Sequence, residues 1–269
     1  MPFPINIDSP DDPRIAAYRD IRERDLVGRR GEFIAEGEVV LAMLVKARRH
    51  RAASLLIDAR RVEALEPLIA ALPDEVPVYV ASQAVIDAIA GFPLHRGILA
   101  HGVAAPPLAP ETLLAEAGTD GVVVALSAIA NHDNMGGIFR NAAAFGAGGV
   151  LLDADCCDPL YRKAIRVSVG TSLTLPFARL ARGADLMGML AAAGFRALAL
   201  SPAGTSDLHD VPRGGRVALV LGAEGPGLGD ALMQRAETVR IRMAEGVDSL
   251  NVATTSGIVL HHLTAGRRR

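Results

Sequence analysis

Apolar positions along this chain fall into short blocks separated by polar or glycine-rich turns, and the period within each block predicts the element it forms. PRIAAYRDIRERD at 13–25 has helical spacing. FIAEGE at 33–38 has the composition of a strand and runs into a helical stretch from Val39 to Arg49. SLLID at 54–58 predicts a strand, Val62 to Leu72 a helix, PVYVA at 77–81 a strand, Ser82 to Ala90 a serine-capped helix, and GILAHG at 97–102 a further strand. This alternation describes a small α/β unit.

The pattern breaks at AAPPLAP, residues 104–110, where closely spaced prolines remove backbone donors and favour an extended connector. The expected division is therefore an N-terminal domain over 1–108 and a C-terminal domain over 109–269. Beyond the connector the strands change character: GVVVAL at 121–126, GVLLD at 149–153, ALAL at 197–200 and VALVLG at 217–222 are continuously apolar. Strands that read this way suit a parallel sheet covered on both faces, which puts the C-terminal half in the α/β class. No internal repeat or low-complexity tract interrupts it.

Composition narrows this picture more than it adds to it. Half of the 269 residues are hydrophobic, enough for a sizeable core and against wholesale disorder. No apolar run approaches the roughly 20 residues needed to cross a bilayer, and MPFPINIDSPDDPR lacks the basic-then-apolar order of a secretory signal, so a cytoplasmic protein without membrane contact is expected. The two cysteines, Cys156 and Cys157, are adjacent, which suits neither a disulfide nor a zinc site; they are expected to be inert, semi-buried thiols. A net charge of −2 excludes a uniformly basic nucleic-acid coat. Local clusters remain: Lys46, Arg48, Arg49 and Arg51 crowd one stretch, and Arg267, Arg268 and Arg269 close the chain. By themselves they read as a solvated helix end and a charged tail.

Three glycine- or asparagine-bearing segments carry candidate chemistry. In the first, Asn131 to Leu152, a strand leads past Gly136 and Gly137 into a helix whose start presents free N–H groups. Arg140, about one turn further on, either points to the crevice at the sheet's carboxyl edge or bonds a nearby carboxylate. The second is LVLGAEGPGLGD at 219–230, where Gly222, Gly225, Gly227 and Gly229 permit close backbone approach to a ligand. Its spacing fails the dinucleotide fingerprint, and it lacks the lysine and hydroxyl of a phosphate-binding P-loop. Glu224 within it either fixes local geometry or binds substrate. In the third, Val239 to Leu263, a short strand passes through a polar loop into a helix; Ser249 and Asn251 at its entrance suit helix caps, and the small residues Ala253 to Gly257 allow close approach by another element or a second subunit.

In order and separation, Asn134-x-Gly136-x-x-x-Arg140, Leu221-Gly-Ala-Glu224-Gly-x-Gly227 and Asp248-Ser-Leu-Asn251-Val resemble the three motifs of the SpoU/TrmH family of RNA ribose 2′-O-methyltransferases, a branch of the SPOUT superfamily. The stretch Tyr161 to Phe177 also resembles that family's link between its first two motifs, and the likeness covers roughly residues 120–265. It implies a parallel α/β domain closed by a C-terminal trefoil knot, a topology otherwise nearly absent from proteins. It further implies S-adenosylmethionine bound mainly by backbone groups at Leu200, Ser201, Gly222, Ile241 and Leu250, with no metal, and a homodimer. FIAEGEVVLAMLV resembles the small α/β RNA-binding domain found upstream in many such proteins, which shifts Lys46, Arg48, Arg49 and Arg51 towards RNA phosphate contacts.

The resemblance implies a ribose 2′-oxygen attacking a sulfonium methyl group, with the protein aligning the two and helping the hydroxyl lose its proton. Arg140 is the principal catalytic residue so implied. Because a guanidinium stays protonated, its expected role is to hold an RNA phosphate or stabilise the forming alkoxide. Asn134 is expected to fix the first loop, while Glu224, Ser249 and Asn251 organise the site or touch RNA. The sequence departs from commoner family members in His132-Asp133 before Asn134 and in ATTS after Asn251-Val252, which bears on substrate choice. His261 and His262 are adjacent on the expected last helix and diverge, so they read as structural rather than as metal ligands or a base. The expected substrate is RNA, ribosomal in preference to transfer RNA, on the strength of the extra N-terminal domain. Two other classes stand beside this reading: a non-catalytic RNA-binding or assembly protein that kept the fold, against which the intact Arg140 counts, and a nicotinamide-dependent enzyme, against which the missing fingerprint counts.

Overall fold

The central strands of each sheet, such as Val78–Ala81 in one and Val122–Leu126 and Val217–Leu221 in the other, are buried on both faces, and the two sheets belong to separate compact units. The structure, a computed structural model, describes residues 2–19, 31–94 and 96–266. Its units are Met1–Pro106 together with Leu160–Thr174, and Pro107–Pro159 together with Leu175–Arg269. The first division falls within the proline connector. The second differs from a single cut, because Leu160–Thr174 packs with the N-terminal residues.

In the first unit, strands β1 (Pro4–Ile7), β2 (Glu32–Glu36), β3 (Arg51–Asp58), β4 (Val78–Ala81) and β5 (Ile98–Val103) form one sheet in the order β1-β4-β3-β5-β2. β1, β4 and β3 run parallel, and β5 runs antiparallel to both β3 and β2. The helices are α1 (Glu38–Lys46), α2 (Glu66–Ala70) and α3 (Gln83–Ala90). α1 stops at Lys46 because Ala47 takes extended geometry, φ −65° and ψ 131°, so Arg48 and Arg49 lie on a connector. α2 is shorter than the expected 62–72: Pro67 lacks an N–H and is tolerated only in a first turn, which sets the helix start at Glu66. Ser82 caps α3, its side chain accepting from Val85 N–H at 3.4 Å. The core on one face joins Ile7, Tyr18, Ile34, Leu56, Ile86 and Leu99. The helix expected over 13–25 is a 3₁₀ turn at Pro13–Tyr18; positions 20–25 lie outside the described residues, as do Arg267, Arg268 and Arg269.

The second unit opens with α4 (Pro110–Glu116) and then alternates β6 (Val122–Leu126), α5 (His132–Ala144) and β7 (Gly149–Leu152). Next comes α6 (Arg162–Val167), which belongs to the first unit: it packs on β2, and Arg162 Nη1 pairs with Glu36 Oε2 at 3.1 Å. The chain continues through β8 (Phe177–Arg179), α7 (Leu186–Ala192), β9 (Arg196–Leu200), β10 (Ser206–Asp207), β11 (Val217–Leu221), α8 (Asp230–Met233), β12 (Glu237–Arg240) and α9 (Val252–Thr264).

These seven strands form one sheet, β10-β12-β9-β11-β6-β7-β8, in which every neighbouring pair is parallel. Alternate residues of a strand face opposite sides, and every residue of β6 and β11 is buried, so helices must cover both faces. On one side Val123, Ala125, Ala218 and Val220 meet Leu114, Met187 and Leu190. α9 packs on β11 and on α5. Each Val or Leu so enclosed contributes about 1.5–3 kcal/mol relative to exposure, which makes the sheet centre a rigid platform for its edge.

Candidate functional site

A parallel sheet brings the carboxyl ends of all its strands to one edge, and ligands of open α/β sheets bind there. Here β9, β11 and β12 are direct neighbours and end at Leu200, Leu221 and Arg240. The loops that follow enclose a cavity of about 390 Å³. Its wall contains all five residues expected for cofactor, Leu200, Ser201, Gly222, Ile241 and Leu250, together with Glu224, Ser249 and Asn251. These residues are far apart in sequence and meet only because three parallel strands end side by side.

The wall combines apolar side chains with backbone supplied by the glycine-rich loop. At Gly222 a Cβ would lie 2.4 Å from the carbonyl carbon of Gly227 and 2.6 Å from Leu228 N, closer than any side chain tolerates. The loop folds back on itself there, and Gly227 N–H donates to Ala223 O at 3.0 Å. Glycine at 222 is therefore a steric requirement of the cavity floor rather than a source of flexibility. A pocket of this size, apolar with a few convergent polar groups, suits a nucleoside-sized ligand.

One polar junction joins the three motifs. Asn251 Nδ2 donates to Asn134 Oδ1 at 2.8 Å and to Glu224 Oε1 at 3.0 Å. Its Oδ1 caps α9, accepting from Ala253 N–H at 2.9 Å and Thr254 N–H at 3.2 Å. Of the two roles open to Glu224, the structure displays the first, a bond that fixes local geometry. Asn134 is buried, and an amide buried without a partner costs about 1–3 kcal/mol, so Asn251 both begins its own helix and satisfies a neighbour's side chain. Ser249 lines the cavity but caps no helix among the described residues.

α5 carries Asn134 and Arg140. Asn131 caps it, accepting from Asp133 N–H at 2.7 Å and Asn134 N–H at 3.4 Å. The small residues of α9 pack on this helix of the same chain: a Cβ at Gly137 would fall 2.7 Å from Ala253 Cβ, and Asn141 Nδ2 donates to Ala253 O at 2.7 Å and Ser256 Oγ at 3.0 Å. Arg140 is exposed on α5 and has no hydrogen-bond or ion-pair partner among the described residues. The carboxylate bond considered for it is absent among those residues, and it stands outside the cavity wall.

Sequence inspection did not single out Asp153 or Asp207. Asp153 follows β7 at the same carboxyl edge and accepts from Ala128 N–H at 2.9 Å, Asp155 N–H at 3.0 Å and Cys156 N–H at 3.0 Å. Ala128, at φ 55°, occupies the left-handed region that non-glycine residues enter at a cost, and this bond holds it where the first motif's loop begins. Burial opposes the Asp153 charge, yet the bonds from Ser127, Ala128 and Cys156 keep its pKa below the usual carboxylate value. An aspartate directly after an apolar strand was the available signal. Burial pushes the Cys156 thiol up to about 12 and the Cys157 thiol up to about 11, so neither is a ready nucleophile.

Lys46, Arg48, Arg49 and Arg51 are all exposed in the first unit, and Arg49 Nη2 donates to Pro106 O at 2.7 Å. His261 packs edge-on against Phe145 and His262 Nε2 lies 2.9 Å from Val211 O, so the pair faces two different partners. No helix among the described residues is long and apolar enough to cross a membrane.

Comparison with known proteins places this geometry. A tRNA/rRNA methyltransferase of Mycobacterium tuberculosis is 37% identical over 264 residues, covering 95% of this chain and 90% of that protein. One from Mycobacterium sp. strain KMS is 31% identical over 218 residues, covering 78% and 68%. The fold matches that of AdoMet-bound rRNA methyltransferase from Sinorhizobium meliloti, with a TM-score of 0.83, 24% identity and 99% of each chain covered. It also matches an RNA 2′-O ribose methyltransferase, with a TM-score of 0.77, 21% identity and 96% and 98% of the two chains covered. Residues 121–261, which hold the three motifs and the cavity they enclose, match the SpoU rRNA Methylase family, and the chain belongs to that family.

Proposed function

We propose that this protein transfers a methyl group from S-adenosylmethionine to a ribose 2′-hydroxyl of RNA, with ribosomal RNA as substrate in preference to transfer RNA. The observation that carries the reading is the convergence of Leu200, Ser201, Gly222, Ile241 and Leu250, from three separate loops, on one cavity of about 390 Å³. Family membership and the kinship with tRNA/rRNA methyltransferases support the substrate class. The fold likeness to an RNA 2′-O ribose methyltransferase accords with the choice of ribose, and the family's description with ribosomal RNA.

The residues present fit the cofactor. Leu200, Ile241 and Leu250 offer an apolar surface to its rings and chain, and the Cβ-free backbone at Gly222 allows the close approach that a main-chain-bound ligand needs. When bound, the cofactor supplies an electrophilic methyl group on a sulfonium. The Asn251 junction ties the three motifs together through Asn134 and Glu224, and Ser249 and Glu224 stand at the cavity wall. Arg140, a cation without a partner among the described residues, holds the RNA phosphate next to the reacting ribose or stabilises the alkoxide as charge develops. The proton leaves to phosphate or water, since a guanidinium cannot accept it.

Lys46, Arg48, Arg49 and Arg51 add sequence-independent attraction for the RNA backbone. We assign the C-terminal segment to the family's trefoil knot. We also assign the working form to a homodimer, in keeping with the exposed apolar residues Val247, Leu250 and Ile258. The decisive test combines calorimetry with S-adenosylhomocysteine and mapping of ribose methylation in cells with and without the protein. Micromolar binding and one lost ribosomal site are expected; binding of a nicotinamide cofactor alone would overturn the reading.

A further inference from the structure

Beyond the end of β12 the chain from Ile241 to Asn251 has no regular secondary structure, so no ladder of backbone bonds holds Ile241 in the cavity wall. Side chains do so instead. Asp207, on edge strand β10, has a side chain only 7% exposed, and its two oxygens face two arginines. Oδ1 accepts from Arg240 Nε at 2.7 Å, and Oδ2 accepts from Arg242 Nε at 2.9 Å and from Arg242 Nη2. Arg240 Nη1 also donates to Gly204 O at 3.3 Å. In extended chain alternate side chains share a side, so two arginines flanking residue 241 that reach the same carboxylate turn Ile241 the other way. Ile241 lines both the large cavity and a second one of about 330 Å³ that contains Asp207, Ile258 and His262. The pair of ion bonds thus stands beside the partition between two spaces.

We propose that Asp207 is a positioning residue for cofactor binding: by clamping Arg240 and Arg242 it holds Ile241 in the wall of the large cavity. The proposal rests on the cofactor reading of that cavity. A cation site is the competing use of this cluster, because Asp207, His209 and Asp210 bring ligand atoms within 4.8 Å of one another. Both Asp207 oxygens are already engaged by guanidinium groups, which repel a metal ion and supply the positive charge it would bring.

Asp207→Asn keeps the shape and removes the charge, turning one acceptor into a donor that faces a guanidinium. S-adenosylhomocysteine affinity is expected to fall about tenfold. The KM for S-adenosylmethionine rises in step, while kcat at saturating cofactor and the KM for RNA stay within about twofold. Hydrogen exchange at Ile241 to Val247 quickens in the variant even with no cofactor present. Arg242→Met, at a side chain that is 73% exposed, shifts both readouts in the same direction by less and serves if the aspartate variant fails to fold. Wild-type affinity and exchange in the variant that folds overturn the clamp. Wild-type protein that binds no S-adenosylhomocysteine overturns the cofactor reading instead, and the exchange data then judge the clamp alone.

Discussion

In the C-terminal sheet every neighbouring pair of strands is parallel, whereas the N-terminal sheet reverses direction at β5, which is antiparallel to both β3 and β2. Parallel strands deliver their following loops to one edge, and Leu200, Gly222 and Ile241 accordingly meet in one wall. In the mixed sheet the ends of β3 and β5 point opposite ways. What that unit offers is a surface: Lys46, Arg48 and Arg51 stand in water around the junction of α1 and β3. The lesson is a division of labour set by strand direction, with specific geometry at the parallel edge and diffuse charge on the mixed unit.

Replacing Arg140 with alanine tests the parallel edge hardest. Methyl transfer is expected to fall by about 100-fold or more, the scale on which one charge-stabilising group acts, with S-adenosylhomocysteine binding unchanged by calorimetry. Activity within a few-fold of wild type would remove chemistry from α5 and weaken the comparison.

Gly222→Ala comes next. The added carbon meets the Gly227 backbone at 2.4 Å, so the loop must shift and S-adenosylhomocysteine affinity should drop at least about tenfold, while RNA binding measured by filter retention stays close to wild type. Loss of RNA binding in this variant would blur the division between the units.

The reciprocal experiment is Lys46, Arg48 and Arg51 to glutamine together, leaving Arg49 in place because it already donates to Pro106 O. The KM for RNA should rise several-fold and the salt slope of RNA binding should flatten by about 2, with cofactor affinity untouched. An unaltered salt slope would assign the RNA contacts elsewhere.

The smallest effect concerns His50, whose ring is buried beside Phe33 and accepts from Ala105 N–H at 3.2 Å. Burial, and then Arg49, hold its pKa down at about 4. An unfolded histidine titrates near 6.5, so as pH falls the unfolded chain takes up the proton first. The stability present above about pH 6.5 is lost between there and about pH 4, to the extent of about 3 kcal/mol. Thermal melts at pH 7.5 and pH 5 should differ less in His50→Gln than in wild type.

Much of this was legible in the chain itself. β6, β7, β9 and β11 announced themselves as continuously apolar runs, and Ser82 and Asn251 cap the helices they precede because local chemistry alone selects those residues, whereas α5 begins at His132, capped by Asn131, ahead of the glycines expected at its entrance. The shortest strands were not legible. β1, β8 and β10 have four, three and two residues and carry no period of their own; β1 is a strand because β4 lies beside it. α2 is shorter than its apolar spacing suggests for a local reason, Pro67, which that spacing does not reveal. The helix α4 is hidden in the sequence because its opening proline continues the proline run of the connector, although proline is at home in a first turn.

Sequence by itself thus determined the continuously apolar strands, the proline connector, the three motifs and which residues belong to each, since all of these depend on residues near one another in the chain. Only the tertiary structure decided that Arg140 is exposed without a partner among the described residues, that the small residues of α9 meet α5 of the same chain, that Leu160–Thr174 joins the first unit, and that Asp207 grips both arginines around Ile241. Each of those facts depends on groups tens of residues apart, whose meeting is set by strand order and packing rather than by any local pattern.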